Sequence, residues 1–126
     1  MHHFEIAEKL NANGLNEVAG LFAKNPMLWQ YAGILLGDKR MRVRLGATTV
    51  IEEIYRDIPE IKTIVLPLLL PLLENPNHLV RGDAANLIAN LGGKEYFNVL
   101  KNLVHDPDPQ VRQVILDILE DLEKEK

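Results

Sequence analysis

The 126-residue sequence contains no cysteine and no serine. The absence of cysteine excludes disulfides and thiolate metal ligands, and the two absences together remove the two commonest catalytic nucleophiles. Histidine occurs at positions 2, 3, 78 and 105, without the His-Glu dipeptide or the i, i+4 histidine pair of a helical metal site. The sequence therefore favours a protein that is not an enzyme and that has no catalytic residue, cofactor or metal.

Long apolar runs and an excess of positive charge are also lacking. The longest apolar run, residues 64–73, contains two prolines and is half of the roughly 20 residues that cross a bilayer. The N-terminus shows neither the basic nor the apolar part of a signal peptide. We therefore expect a cytoplasmic protein with no membrane association. The 14 Lys and Arg against 18 Asp and Glu give a net charge of -4, which disfavours nonspecific attraction to nucleic acid.

Three segments, residues 38–44, 75–81 and 106–112, align without gaps. In each, Asp or Asn stands six residues before an Arg that directly follows a Val. Apolar residues recur four, seven, eight and eleven positions after each of these valines. This spacing predicts one helical apolar stripe repeated three times.

A less regular fourth copy lies near the N-terminus, where Asn13 stands six residues before Ala19. Further helical patterns fill residues 3–11, 26–36, 59–74 and 94–105, and Gly, Pro and Asn mark the breaks. We predict an all-α fold in one domain over residues 1–126, with repeat units at about 3–24, 26–57, 59–92 and 94–125.

The segments 66–85 and 106–112 resemble the HEAT repeat, in particular the short HEAT-like repeats of many prokaryotic proteins and of the phycobilisome lyase family. The resemblance covers residues 38–125. It implies a right-handed α-α superhelix, an α-solenoid of about four stacked helix pairs that is generally used as a protein-binding scaffold.

Asp and Asn in the three turns are expected to cap the second helix of each pair. The resemblance implies in addition a ladder in which each Arg reaches an acidic or amide group in its own or the next repeat. We expect a weaker link at Asn75, which offers no charge. The ladder residues are Asp38, Arg44, Asn75, Arg81, Asp106 and Arg112.

In a solenoid the second helices line the concave side, so positions off the apolar stripe form rows across it. We predict a partner-binding face there, composed of Thr49, Glu53, Arg56, Asn86, Asn90, Gln113, Asp117 and Asp121. The sequence thus favours a non-enzymatic scaffold or adaptor for a protein or peptide.

Two alternatives and one further association stay open. The chain is alternatively an accessory, lyase-type or chaperone-type subunit of an enzyme, or it binds nucleic acid through Lys39, Arg40, Arg42 and Arg44. Trp29 lies in a segment that is apolar on nearly every side. Most of this segment is expected in the core, and any exposed part is expected at an interface. A homodimer contact through the N-terminal end is expected to involve residues 1–36.

Overall fold

The computed structural model describes residues 1–125, which form α-helices and short 3-10 segments without any strand. The α-helices are α1 (His3–Asn11), α2 (Leu15–Lys24), α3 (Ala32–Leu36), α4 (Met41–Asp57), α5 (Ile61–Leu69), α6 (His78–Gly92), α7 (Phe97–Lys101) and α8 (Pro109–Lys124). The 3-10 segments are Pro26–Tyr31, Leu70–Glu74, Gly93–Tyr96 and Asn102–His105. The predicted all-α fold is confirmed.

The helices form stacked pairs in which the even-numbered helices are the second members. Helix α4 packs against α2 on one side and α6 on the other, and α6 packs against α8. The first members lie on the opposite side of the core, where α3 contacts both α4 and α5. In this stacking, the second helix of each pair has one face toward the core and one toward solvent.

The repeated apolar stripe is the face turned to the core. Val43, Val80 and Val111 are all buried. The residues four, seven, eight and eleven positions after them are buried too, namely Ala47, Ala84, Ile115, Val50, Leu87, Ile118, Ile51, Ile88, Leu119, Ile54, Leu91 and Leu122. The helical period therefore fixes which side of α4, α6 and α8 packs inward.

The capping residues lie two positions later than the sequence predicts. The side chains of Asp38, Asn75 and Asp106 each accept a hydrogen bond from the backbone N–H of the second residue after them, at 2.8, 2.9 and 2.9 Å. They organise the turn, as Asx residues do, and the helix begins after it. The N-cap positions fall at residues 40, 77 and 108, of which Asn77 and Asp108 cap with their side chains and Arg40 does not.

The first helices are less regular, and packing explains how they end. Helix α5 continues through Pro67, while Pro71 opens the 3-10 segment that completes this stretch. A Cβ atom on Gly33 would lie 3.0 Å from the carbonyl oxygen of Leu68, so glycine lets α3 approach α5 closely. Within residues 1–125, none of the helices combines the length and the apolar character that a membrane crossing requires.

The apolar segment around Trp29 belongs mainly to the core. Trp29 is buried, and its indole N–H donates to the carbonyl oxygen of Phe22 at 3.0 Å. Met27 and Ile34, in contrast, are exposed. The tryptophan therefore stabilises the fold, and the surface contribution of this segment comes from its neighbours.

Candidate functional site

Arg44 links its own turn to the next repeat. It is 1% exposed, and its Nη1 donates to the carbonyl oxygens of Asp38 and Lys39 at 3.0 and 2.9 Å. Its Nε donates to the carboxylate of Asp83 at 2.8 Å. The side chain that Arg44 reaches in the next repeat is thus an aspartate on α6, and Asn75 is not its partner.

Arg81 makes the corresponding link one repeat further. Its Nη1 donates to the carbonyl oxygen of Asn75 at 2.8 Å, and its Nε and Nη2 each donate to one oxygen of Asp106 at 2.8 Å. This bidentate pair is charge-assisted and nearly buried. Hydrogen bonds from Arg81 hold the pKa of the Asp106 carboxyl below its ordinary value, and they raise the pKa of Arg81.

The two ends of the ladder differ from its middle. Arg112 donates to the carbonyl oxygens of Asp106 and Pro107 at 2.7 and 3.2 Å, and it makes no ion pair with any residue that the structure describes. In the first repeat Ala19 replaces the arginine. Arg40 supplies a link there, because its guanidinium contacts both oxygens of Asp38 and, at 2.7 Å, the carboxylate of Glu8 on α1.

Sequence reasoning missed three members of this network: Glu8, Arg40 and Asp83. Asp83 follows its repeat valine by three positions, where the other repeats have Gly46 and Val114. A single carboxylate at an otherwise uncharged position is the signal that identifies it. Its partner Arg44 is 39 residues away, a separation that periodicity along one helix does not predict.

The ladder is a structural network. Among residues 1–125, every buried side-chain nitrogen or oxygen has a hydrogen-bond partner, and the partners of the ladder arginines are carboxylates and turn carbonyl oxygens. The same residues contain no group of three or more His, Asp or Glu side chains placed to hold a metal. The ladder fixes the stacking of the repeats, as a recurring pair in a solenoid does.

The residues of the predicted partner-binding face lie on α4, α6 and α8, and seven of the eight are exposed. Thr49 is half-buried, and its hydroxyl donates to the carbonyl oxygen of Leu45. Asn90 donates to Glu52 at 2.9 Å, which joins α6 to α4 across the face. Gln113 donates to Asp117 within α8 at 3.0 Å. The face is therefore polar and partly ordered by its own hydrogen bonds.

A wide depression, the N-terminal groove, opens at the first turns of α4. Its walls include Leu10, Leu15, Met41, Arg42, Leu45 and Thr49, and its volume is about 860 Å³. The depression at the same register between α6 and α8 has a volume of about 100 Å³. Of these two depressions, the one at the N-terminal end is much the larger.

The cluster of cations beside this groove is only partly available. Arg44 is buried in the ladder, and Arg40 is neutralised by Asp38 and Glu8. These two carboxylates raise the pKa of Arg40, and Arg40 in turn lowers the pKa of Asp38. Lys39 and Arg42 are left without an ion pair among the described residues. Two cations are few for a phosphate-binding groove, whose affinity grows with each phosphate neutralised.

The comparison with known families agrees with this architecture. The family model for HEAT repeats matches residues 32–120, a range that includes the three aligned repeats and leaves out the less regular first one. No curated protein and no solved structure matches the chain. HEAT repeats generally mediate protein–protein interaction. On its helical stacking, its repeated stripe and this match, the chain belongs to the HEAT-repeat family.

Proposed function

We propose that this chain is a non-enzymatic scaffold or adaptor of the cytoplasm that binds a protein or peptide on the exposed, concave face of α4, α6 and α8. The observation that carries the proposal is the row arrangement of exposed side chains on three successive second helices. Because the ladder already fixes these helices, a partner meets a preformed surface. Binding then has little conformational entropy cost beyond that of side chains.

The chemistry of the face supports a protein partner. Leu45 and Leu79 are large apolar side chains exposed on α4 and α6, amid polar residues. Apolar side chains inside a polar rim are typical of interaction sites. Toward α8 the face becomes acidic through Asp117 and Asp121, which favours a basic or neutral partner surface there.

The test is affinity capture from a native extract, scored by quantitative mass spectrometry. The bait is the wild-type chain, compared with a face variant that combines Thr49→Arg, Asn86→Arg and Asp117→Arg. A matched control combines Thr63→Arg, Asn98→Arg and Glu95→Arg, which are exposed sites outside α4, α6 and α8 with the same total change in charge. Both variants must equal the wild type in helicity and thermal unfolding.

We expect at least one protein that the wild type and the control retain and the face variant loses. Arginine at these positions adds bulk and charge to the contact surface but leaves the core untouched. If the face variant retains every protein that the control retains, the concave face is not the binding surface.

A second association is favoured by the exposed apolar side chains near the N-terminus. Phe4, Met27 and Ile34 are all exposed, and such residues are found at interfaces. We propose that the chain also forms a homodimer through its N-terminal end. Sedimentation equilibrium should show a dimer that the pair Met27→Glu and Ile34→Glu converts to monomer, whereas an unchanged mass for this variant would refute the placement.

A further inference from the structure

The N-terminal groove differs from the rest of the binding face in its side chains as well as in its size. Positions that hold Arg42, Leu45 and Thr49 on α4 hold Leu79, Gly82 and Asn86 on α6. The groove therefore combines a cation and an apolar side chain on adjacent turns of one helix, a combination that the equivalent site on α6 lacks.

The groove is lined by apolar side chains, of which two on α4 are exposed. Met41 and Leu45 stand one turn apart on α4 and are 58% and 48% exposed. Leu10 and Leu15 contribute to the opposite wall. A Cβ atom on Gly46 would lie 3.0 Å from Leu10, so glycine keeps the two walls in contact at the base. A partner's apolar side chain placed here would cover both exposed residues of α4.

Arg42 is a cation of the groove wall that makes no ion pair with any described residue. Nη1 of Arg42 donates to the carbonyl oxygen of Asn11 at 3.1 Å, which holds this guanidinium at the groove wall. The carboxylates on the surrounding elements are already engaged: Glu8 and Asp38 with Arg40, and Glu17 with Lys9. No acidic residue lies in the first turn of α4, so the positive end of the helix dipole adds to the charge of Arg42 and Lys39.

We propose that the N-terminal groove docks a partner segment in which a carboxylate adjoins an apolar side chain. The Asp or Glu pairs with Arg42, and the neighbouring Leu, Ile, Met or Phe packs between Met41, Leu45 and the Leu10 wall. The apolar lining and the small number of free cations select an acidic peptide over a phosphate backbone. The inference rests on the proposed function, since Thr49 belongs both to the groove and to the predicted face.

The probe is a random peptide library displayed on phage and selected on the immobilised wild-type chain. Parallel selections use Arg42→Glu, Leu45→Asp and the control Lys101→Glu, which changes the net charge as Arg42→Glu does but at an exposed site on α7. Leu45 is exposed on α4, so its variant tests the apolar part of the groove even if Arg42→Glu disturbs the contact with Asn11. The most enriched peptide is then synthesised, and its affinity for each protein is measured by fluorescence polarisation.

We expect a consensus of Asp or Glu within a helical turn of a large apolar residue, shared by the wild type and Lys101→Glu. Arg42→Glu and Leu45→Asp should each weaken the synthetic peptide by at least about tenfold, the effect of removing a well-placed charge pair or apolar anchor. Selection on Arg42→Glu should replace the acidic residue of the consensus by a basic one.

Four results would overturn the inference. The first is the absence of any enriched peptide, and the second is a consensus without acidic residues. The third is an acidic peptide that Arg42→Glu still binds but Asn86→Arg does not, which leaves the proposed function standing and removes the groove from it. A dimer in sedimentation that Arg42→Glu dissociates would assign the groove to a second copy of the chain, whose α8 exposes Leu116 beside Asp117, and would equally overturn it.

Discussion

The carboxylate of Asp106 accepts three hydrogen bonds. Replacing it by the amide of asparagine removes the charge of the side chain and keeps its shape. In Asp106→Asn, the remaining oxygen still accepts from the backbone N–H of Asp108, and from Nη2 of Arg81, the bonds that measure 2.9 and 2.8 Å in the wild type. The amide NH₂ replaces the oxygen that faces Nε of Arg81 at 2.8 Å, so two donors oppose each other. Arg81, largely buried, also loses its counter-charge.

The expected magnitude follows from these contacts. A hydrogen bond to a charged group contributes about 1.5–3 kcal/mol, and breaking a buried ion pair costs about 3–5 kcal/mol. Arg81 keeps its bond to the carbonyl oxygen of Asn75, which places the loss toward the lower range. We expect Asp106→Asn to lower the free energy of unfolding by about 2–3 kcal/mol, measured by urea denaturation followed by far-UV circular dichroism.

The matched control is Asn75→Asp at the equivalent turn of the preceding repeat. The side chain of Asn75 accepts from the backbone N–H of Asn77 and not from Arg44, whose Nε donates to Asp83. Aspartate retains that acceptor, so we expect the free energy of unfolding to stay within about 0.5 kcal/mol of the wild type. If Asp106→Asn also stays within this range, the Arg81 pair does not hold the last two repeats together.

The same variant predicts how stability depends on pH. In the folded chain the pKa of Asp106 lies below its ordinary value of 3.8. As the pH falls, this carboxylate therefore takes up a proton at a higher pH in the unfolded chain than in the folded chain. The contribution of the Asp106 carboxylate to the free energy of unfolding is therefore complete above about pH 4, and it is lost as the pH falls through the pKa of the folded state. The difference in unfolding free energy between wild type and Asp106→Asn should shrink below about pH 4. Asp38 titrates in both proteins, so its effect cancels in this difference. A difference in unfolding free energy that does not change with pH would refute the assignment of the stabilising charge to Asp106.

Two further pairs of variants test the packing and the open end of the ladder. Gly20→Ala should raise the free energy of unfolding by about 0.5–1 kcal/mol, because alanine favours the helix and its Cβ meets no atom within 4 Å. Gly33→Ala should lower the free energy of unfolding by about 1–3 kcal/mol through overpacking against α5. Thermal unfolding measures both variants, and a shift of their midpoint temperatures in the same direction would contradict this. Arg44→Met should cost about 3 kcal/mol, since it leaves the Asp83 carboxylate and two turn carbonyls without their donor. Arg112→Met should cost less than half as much, and equal losses in urea denaturation would refute a ladder whose last arginine lacks an ionic partner.

The repeat pattern could be predicted from the sequence because it depends on neighbours along one helix. The spacing from each repeat valine determines which residues share a face, and the stripe that begins at Val43, Val80 and Val111 is buried as predicted. Glycine, proline and asparagine at the breaks correctly separate the helices. The capping pattern places the start of each second helix two residues too early, since an Asx turn and an N-cap use the same residue types.

The candidate site was only partly predictable. The row residues on α4, α6 and α8 are at the surface, but nothing in their spacing distinguishes the wide groove beside Leu45 from the narrow one beside Gly82. In the basic cluster after Asp38, the repeat pattern assigns Arg44 to the ladder but does not distinguish Lys39, Arg40 and Arg42 from one another. Folding buries Arg44, neutralises Arg40 and leaves Lys39 and Arg42, because the relevant carboxylates come from α1, α6 and the turn.

The helical repeats, the core stripe and the membership of the HEAT-repeat family follow from the order of residues alone, since all three are periodic properties of a single chain segment. The packing of the helices establishes that Arg44 pairs with Asp83, that Arg40 replaces the missing arginine of the first repeat, and that Arg42, a cation without an ion pair among the described residues, lies at the N-terminal groove. These outcomes depend on how each helix is rotated and staggered against the next. That rotation sets which side chains from distant parts of the sequence come within hydrogen-bond distance, and periodicity along one helix carries no information about it.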